Sequence, residues 1–324
     1  MTVASRLALW VFVTFCTACD SRPQLPPEPS ARLASPPPRP QLMFVSVAND
    51  DSFHKMAVAP FERPATGAFV TGLSCQRVYF GGGRGICLAS TTDASKITWW
   101  AQTFDDRFEV LERLPLTGEP SRVRVSPDGR LAAATVFETG HSYRDHGFST
   151  RTTLVDLTTG RSLGDLEQFE TRREGRVIWE KDFNFWGLTF ARDSDRFYAT
   201  LDTKGVSYLV SGSVKARRVE IVKPGVECPS LSPDNTRIAF KKRIGARSHG
   251  WWQLTILTLG TMAETVVTAE TRSLDDQVEW LDDERVTYHL ASGTTSADLW
   301  AVRVDNSAAP ERMISSAYSP AVVR

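Results

Sequence analysis

The chain has 324 residues, 41% hydrophobic and 23% charged, a balance that excludes a disordered or fibrous polymer and leaves a folded protein with a sizeable core. Lysine plus arginine and aspartate plus glutamate both number 38, so no global field directs the chain to nucleic acid or to an anionic membrane surface.

At the N-terminus one positive charge, Arg6, precedes an apolar run from Leu7 to Phe15, then the small residues Thr17 and Ala18 before Cys19. This is the anatomy of an export signal over residues 1–19. The run falls well short of the roughly 20 apolar residues a spanning helix needs, and polar, Pro-rich sequence follows at once. Residues 20–41, with prolines at 23, 26, 27, 29, 36, 37, 38 and 40, read as a disordered, extended linker.

From residue 42 onward, short strand-like runs alternate with turn clusters and no stretch keeps a 3.6-residue period, so residues 42–324 form an all-β domain. Met43 to Ala48 and Phe53 to Ala59 supply its first strands. Val78-Tyr79-Phe80, the turn Gly81-Gly82-Gly83 and Ile86-Cys87-Leu88 form a hairpin, followed by strands at Ile97 to Thr103 and Phe108 to Leu114. Cys75 before this hairpin and Cys87 within it are expected to face each other and form a disulfide, which an exported chain would retain; the alternative is two buried free thiols. Cys228 reads as a buried free thiol.

A repeat then appears. Val125-Ser126-Pro127-Asp128-Gly129-Arg130-Leu131 recurs as Leu231-Ser232-Pro233-Asp234-Asn235-Thr236-Arg237-Ile238, more loosely at Phe190 to Phe197, and again at Trp280 to Val286. In each copy a strand ends, Pro or a polar residue sets a turn, Asp caps it, and Gly or Asn takes a positive φ. The residues that open the following strands, Arg130, Arg196, Arg237 and Arg285, lie 66, 41 and 48 positions apart (196−130, 237−196, 285−237), close to the spacing of four-stranded propeller blades. With the Gly81 hairpin this makes five blades. A sixth is expected to be shared between the N-terminal strands and Tyr318 to Val323, closing the ring and removing exposed sheet edges.

Two resemblances follow from these residues. Cys16-Thr17-Ala18-Cys19 resembles a bacterial lipoprotein box, with Cys16 where that pattern prefers Leu, which implies a lipid on Cys19; the alternative is ordinary signal cleavage near Ala18. The repeat copies, with Gly140-His141-Ser142-Tyr143 and Gly147 to Thr152, resemble the WD40-like (PD40) repeats of TolB-like propellers, of the TolB-like translocation protein type. True TolB carries an N-terminal α/β domain, in whose place this sequence has only the Pro-rich segment.

The long 66-residue interval comes from insertions at Glu138 to Ser149 and Phe169 to Asn184, and a further one lies at Arg243 to Gly250. In WD-type blades such links open on one face, so His141, Tyr143, Arg144, His146, Arg172, Arg173, Trp179, Arg243, Arg247, His249, Trp251 and Trp252 are a candidate binding face, rich in residue types that dominate interface energetics. No Gly-x-Ser-x-Gly elbow is present, His141, Asp145 and His146 lack metal-ligand spacing, and the Gly81 cluster lacks a phosphate-loop ending. The expectation is therefore a non-enzymatic, monomeric binding module for a protein or peptide of the cell envelope. It would use no cofactor, metal or nucleic acid, touch the membrane only through an N-terminal lipid on the outer side of the cytoplasmic membrane, and be secreted if Cys19 is not lipidated. The alternatives are a propeller enzyme or a small-molecule or glycan sensor acting at the central channel.

Overall fold

The computed structural model describes residues 31–94, 96–138, 149–246 and 250–324. Six antiparallel blades follow one another around a ring, making a six-bladed β-propeller. The first blade joins both chain ends: Gln41–Ser46, Lys55–Pro60 and Phe69–Ser74 are completed on the inside by Ala317–Val323, which pairs antiparallel with Gln41–Ser46. The expected shared blade is thus present, and each later blade takes four consecutive strands of chain, innermost first.

The ring is held by apolar surfaces between neighbouring blades. Met56, Phe80 and Phe104 fill the junction of the first and second blades; Ile86, Val123 and Val155 the next; Leu154, Phe185 and Phe197 the third. Leu209, Val226 and Phe240, then Leu254, Trp280 and Tyr288, then Leu42, Leu299 and Val322 complete the circle. Each junction is a sheet-on-sheet contact made by alternate residues of the facing strands.

The repeat copies are the turns that leave the inner strands. Ser126 Oγ donates to Asp128 at 2.6 Å and accepts the Leu131 amide, while Asp128 accepts the Arg130 amide. Ser232 and Asp234 do the same for Arg237 and Thr236. The residues at the expected left-handed position have φ of 69° at Gly129, 56° at Ser194 and 61° at Asn235. Adjacent turns interlock around the rim: the Asp128 amide donates to Ser194 Oγ, and the Asp234 amide to Asp283. Gly82 fits here only as glycine, because a Cβ would stand 2.2 Å from the Asp128 carbonyl carbon.

Cys75 and Cys87 form a disulfide with Cα atoms 5.4 Å apart. Cys75 lies in the link between the first two blades, so the bridge ties that crossing to the second strand of the second blade. Cys228 is free and buried. Residues 31–40, the end of the Pro-rich segment, lie against the propeller: the Leu33 amide donates to the Ala68 carbonyl, Arg32 pairs with Asp51, and Arg39 sits over the Phe80 ring at 5.2 Å.

One expected loop is built differently. The insertion Phe169 to Asn184 carries two short strands, Glu170–Arg173 and Arg176–Ile178, and the first runs parallel to Arg218–Pro224 on the outside of the fourth blade. That outer edge offers unpaired amides and carbonyls, and the inserted strand satisfies them, so the segment wraps the blade instead of standing free as a loop.

Candidate binding site in the central channel

The inner strands of the second to sixth blades, Arg77–Gly81, Glu119–Val125, Asn184–Phe190, Glu227–Leu231 and Glu279–Trp280, run alongside Ala317–Val323 of the first to line the channel. All start at what we term the upper face and end at the lower face, where the repeat turns lie. Side chains two residues apart on a strand point the same way. Arg77 and Tyr79, and Arg122 and Arg124, therefore form two polar levels, one above the other, which Asp276 and Glu279 of the sixth blade meet respectively.

The upper level closes the channel. Asp276 of the sixth blade accepts Arg77 at 2.5 Å and stands 2.6 Å from Arg122 as an ion pair, with His289 3.2 Å away. Beside it the Gln277 amide donates to the carbonyls of Gly187, at 3.1 Å, and Pro229, at 2.5 Å, on the fourth and fifth blades. Arg122 also donates to the Asp275 carbonyl, and Lys241 pairs with Asp275 at 2.9 Å. Five blades are thereby tied together across the axis. Burial alone would raise the Asp276 carboxyl, but the guanidinium groups of Arg122 and Arg77 outweigh it and hold the group far below the usual carboxylate range. Burial pushes His289 down to about 4 against the pull of Asp276, so the imidazole is neutral at pH 7.

Below this closure the channel opens downward as a cup of about 530 Å³. Its charged lining is Arg124, Arg192, Arg324 and Glu279, with Tyr79 and the edge of Trp280 among the other walls. Arg124, on the third blade, reaches the sixth: it donates to the Val278 carbonyl at 2.9 Å and stands 3.6 Å from Glu279. The Tyr79 hydroxyl donates to Glu279 at 2.9 Å, and the Arg124 guanidinium lies 4.7 Å from the Tyr79 ring centre. Burial raises the Glu279 carboxyl more than Arg124 and Arg324 lower it. Trp280 is 2% exposed, donates its indole N–H to the Ser230 carbonyl, and is covered by Arg237 at 5.4 Å, so it offers no open ring for stacking.

The residues expected from the sequence to share one binding face are only partly described, and those described do not share a face. Cys19, His141, Tyr143, Arg144, His146, Arg247 and His249 fall outside the described residues. The remaining members form two groups. Trp252 is flanked by Arg243 at 3.7 Å and Lys241 at 4.3 Å, with Arg243 also 3.7 Å from Glu227, and Trp251 is 37% exposed beside them. Arg172, Arg173 and Trp179 belong to the segment wrapped on the fourth blade; Arg172 pairs with Glu170, Arg173 covers Tyr208, and Trp179 is 69% exposed. The cup residues were absent from the sequence-based candidates. Their signal was the alternation Arg122-Val123-Arg124-Val125 immediately before a repeat turn, a pattern that puts charge on one face of an inner strand.

No family model and no curated protein sequence matches the chain. Solved structures do. TolB from Acinetobacter baumannii superposes with a TM-score of 0.59 over 87% of this chain at 16% identity, and the chain spans 65% of that protein's length. A propeller in the crystal structure of a nidogen/laminin complex superposes with a TM-score of 0.56, 11% identical, over 88% of this chain and 98% of the other. At such identities the likeness is one of fold: a TolB-like six-bladed propeller.

Proposed function

We propose that the protein is an exported propeller, anchored by a lipid on Cys19, that acts as a non-catalytic binding module for a protein or peptide of the cell envelope. The observation that carries this reading is the cup: a single opening on the channel axis, floored by a fixed layer of buried ion pairs and walled by arginine, a shielded glutamate and tyrosine. Such a concave site with a few fixed polar groups suits recognition. Among the described residues Glu279 is its one acidic side chain and its lining holds no histidine or cysteine, so neither the paired acids of a glycosidase nor a histidine-activated nucleophile is assembled there. With Trp280 packed away, a stacking site for sugar rings is less well supported than a peptide site. The propeller that superposes at a TM-score of 0.56 was crystallised in a protein–protein complex, and the Cys75–Cys87 disulfide accords with export.

Whole-cell chemical cross-linking in the native host, combined with intact mass, tests the reading. A lipid-sized mass increment lost in Cys19→Ala, and a protein adduct lost in the rim variant Arg192→Glu, are expected. An unmodified N-terminus removes the anchor, and an adduct pattern unchanged by Arg192→Glu removes the cup as the binding site.

A further inference from the structure

We propose that the cup receives the free C-terminal carboxylate of its partner chain. This rests on the reading of the cup as a peptide site and specifies which part of a peptide it takes.

Two observations lead to it. The first is that the cup is blind. Asp276, held by Arg77 and Arg122, and Gln277, bonded to carbonyls of the fourth and fifth blades, occupy the axis above it. An extended chain cannot thread past them, so whatever enters along the axis must end there.

The second is the charge waiting at that end. Among the described residues Arg124, Arg192 and Arg324 face one acidic side chain, Glu279, in the lining. Arg124 is buried in the wall and donates to the carbonyls of Val123 and Val278. Its guanidinium is fixed in the cup wall by the Tyr79 ring, 4.7 Å from the ring centre. Arg192 is exposed at the rim and guides an anion inward. Glu279, which alone would repel a carboxylate, is engaged by the Tyr79 hydroxyl and stands 3.6 Å from Arg124. A peptide ending in an amide or continuing as chain offers no charge for this arrangement, whereas a terminal carboxylate accepts from arginine with the strength of a charge-assisted bond.

The test uses the full chain and two fluorescein-labelled hexapeptide pools, randomised at every position, one with a free C-terminal carboxylate and one amidated. Binding is read by anisotropy, and retained peptides are identified by mass. The acid pool is expected to bind about tenfold or more tightly than the amide pool. Arg192→Glu, an exposed change that leaves thermal melting unaltered, should weaken the acid pool and spare the amide pool. Equal binding of the two pools overturns the carboxylate inference while leaving the peptide-binding reading in place. Absence of binding by either pool up to about 1 mM overturns both.

Discussion

Arg122 on the third blade and Asp276 on the sixth meet at 2.6 Å across the channel, joining diametrically opposed sectors of the ring. Because Arg77 of the second blade shares the same carboxylate, one side chain offsets two buried guanidinium charges. Removing its charge leaves both uncompensated in a low-dielectric site. Asp276→Asn should cost about 3–5 kcal/mol, measured by denaturant unfolding at pH 7. The sign with pH follows from its lowered pKa: the contribution is complete above the ordinary aspartate value of 3.8 and is lost only as pH falls towards its much lower folded value. Mild acid alone, near pH 5, should therefore leave this layer intact.

The rim of the cup makes a sharper geometric prediction. Gly82 and Gly83 both have positive φ, 54° and 84°, but only Gly82 is pressed against a neighbouring blade. Gly83→Ala meets open space and should cost about 1 kcal/mol through backbone strain alone. Gly82→Ala adds a clash with Asp128 and should cost roughly 2–4 kcal/mol. Paired thermal melts check the difference; equal losses would mean the two turns do not interlock.

The disulfide closes a short loop, with a sequence separation of 12, and its removal should cost about 3 kcal/mol by chain entropy. Cys75→Ala/Cys87→Ala is expected to melt several degrees lower than the oxidised protein. Adding reductant should reproduce the shift in the wild type and leave the double variant unchanged.

Glu167 gives a pH signature of its own. Burial raises its carboxyl from 4.5 to about 8, against hydrogen bonds donated by the Thr152 and Phe185 amides. Between these values the folded state keeps a proton that the unfolded state releases, so stability falls as pH rises, by at most about 1.4 kcal/mol per pH unit, and levels off above about 8. Glu167→Gln should flatten that slope. Urea unfolding of both proteins from pH 5 to pH 9 reads it directly, and parallel curves would show that Glu167 is ionised throughout.

The architecture was largely legible in the sequence because its determinants are local. Ser126-Pro127-Asp128-Gly129 and Ser232-Pro233-Asp234-Asn235 are short-range turn codes, and the Cys75–Cys87 pair flanks a recognisable hairpin. The cup was not legible. Asp275-Asp276-Gln277 reads as an ordinary polar link, and nothing local says that it crosses the axis to meet Arg77 and the Gly187 carbonyl, almost 200 and 90 positions away. Segment 169–184 misled for a related reason: its length suggested a free loop, whereas the available outer edge of the fourth blade, a tertiary property, recruits Glu170–Arg173 as a strand.

The most direct test of binding through the cup is site-specific photo-cross-linking in the native host, with the photoreactive residue placed in turn at Pro127 and Asn235, both in the cup lining, and, as a control on the outer surface, at Glu109. Adducts with one protein partner from Pro127 and Asn235, absent from Glu109, are what the account predicts. The same adducts from all three positions, or none from the two at the mouth, would contradict it.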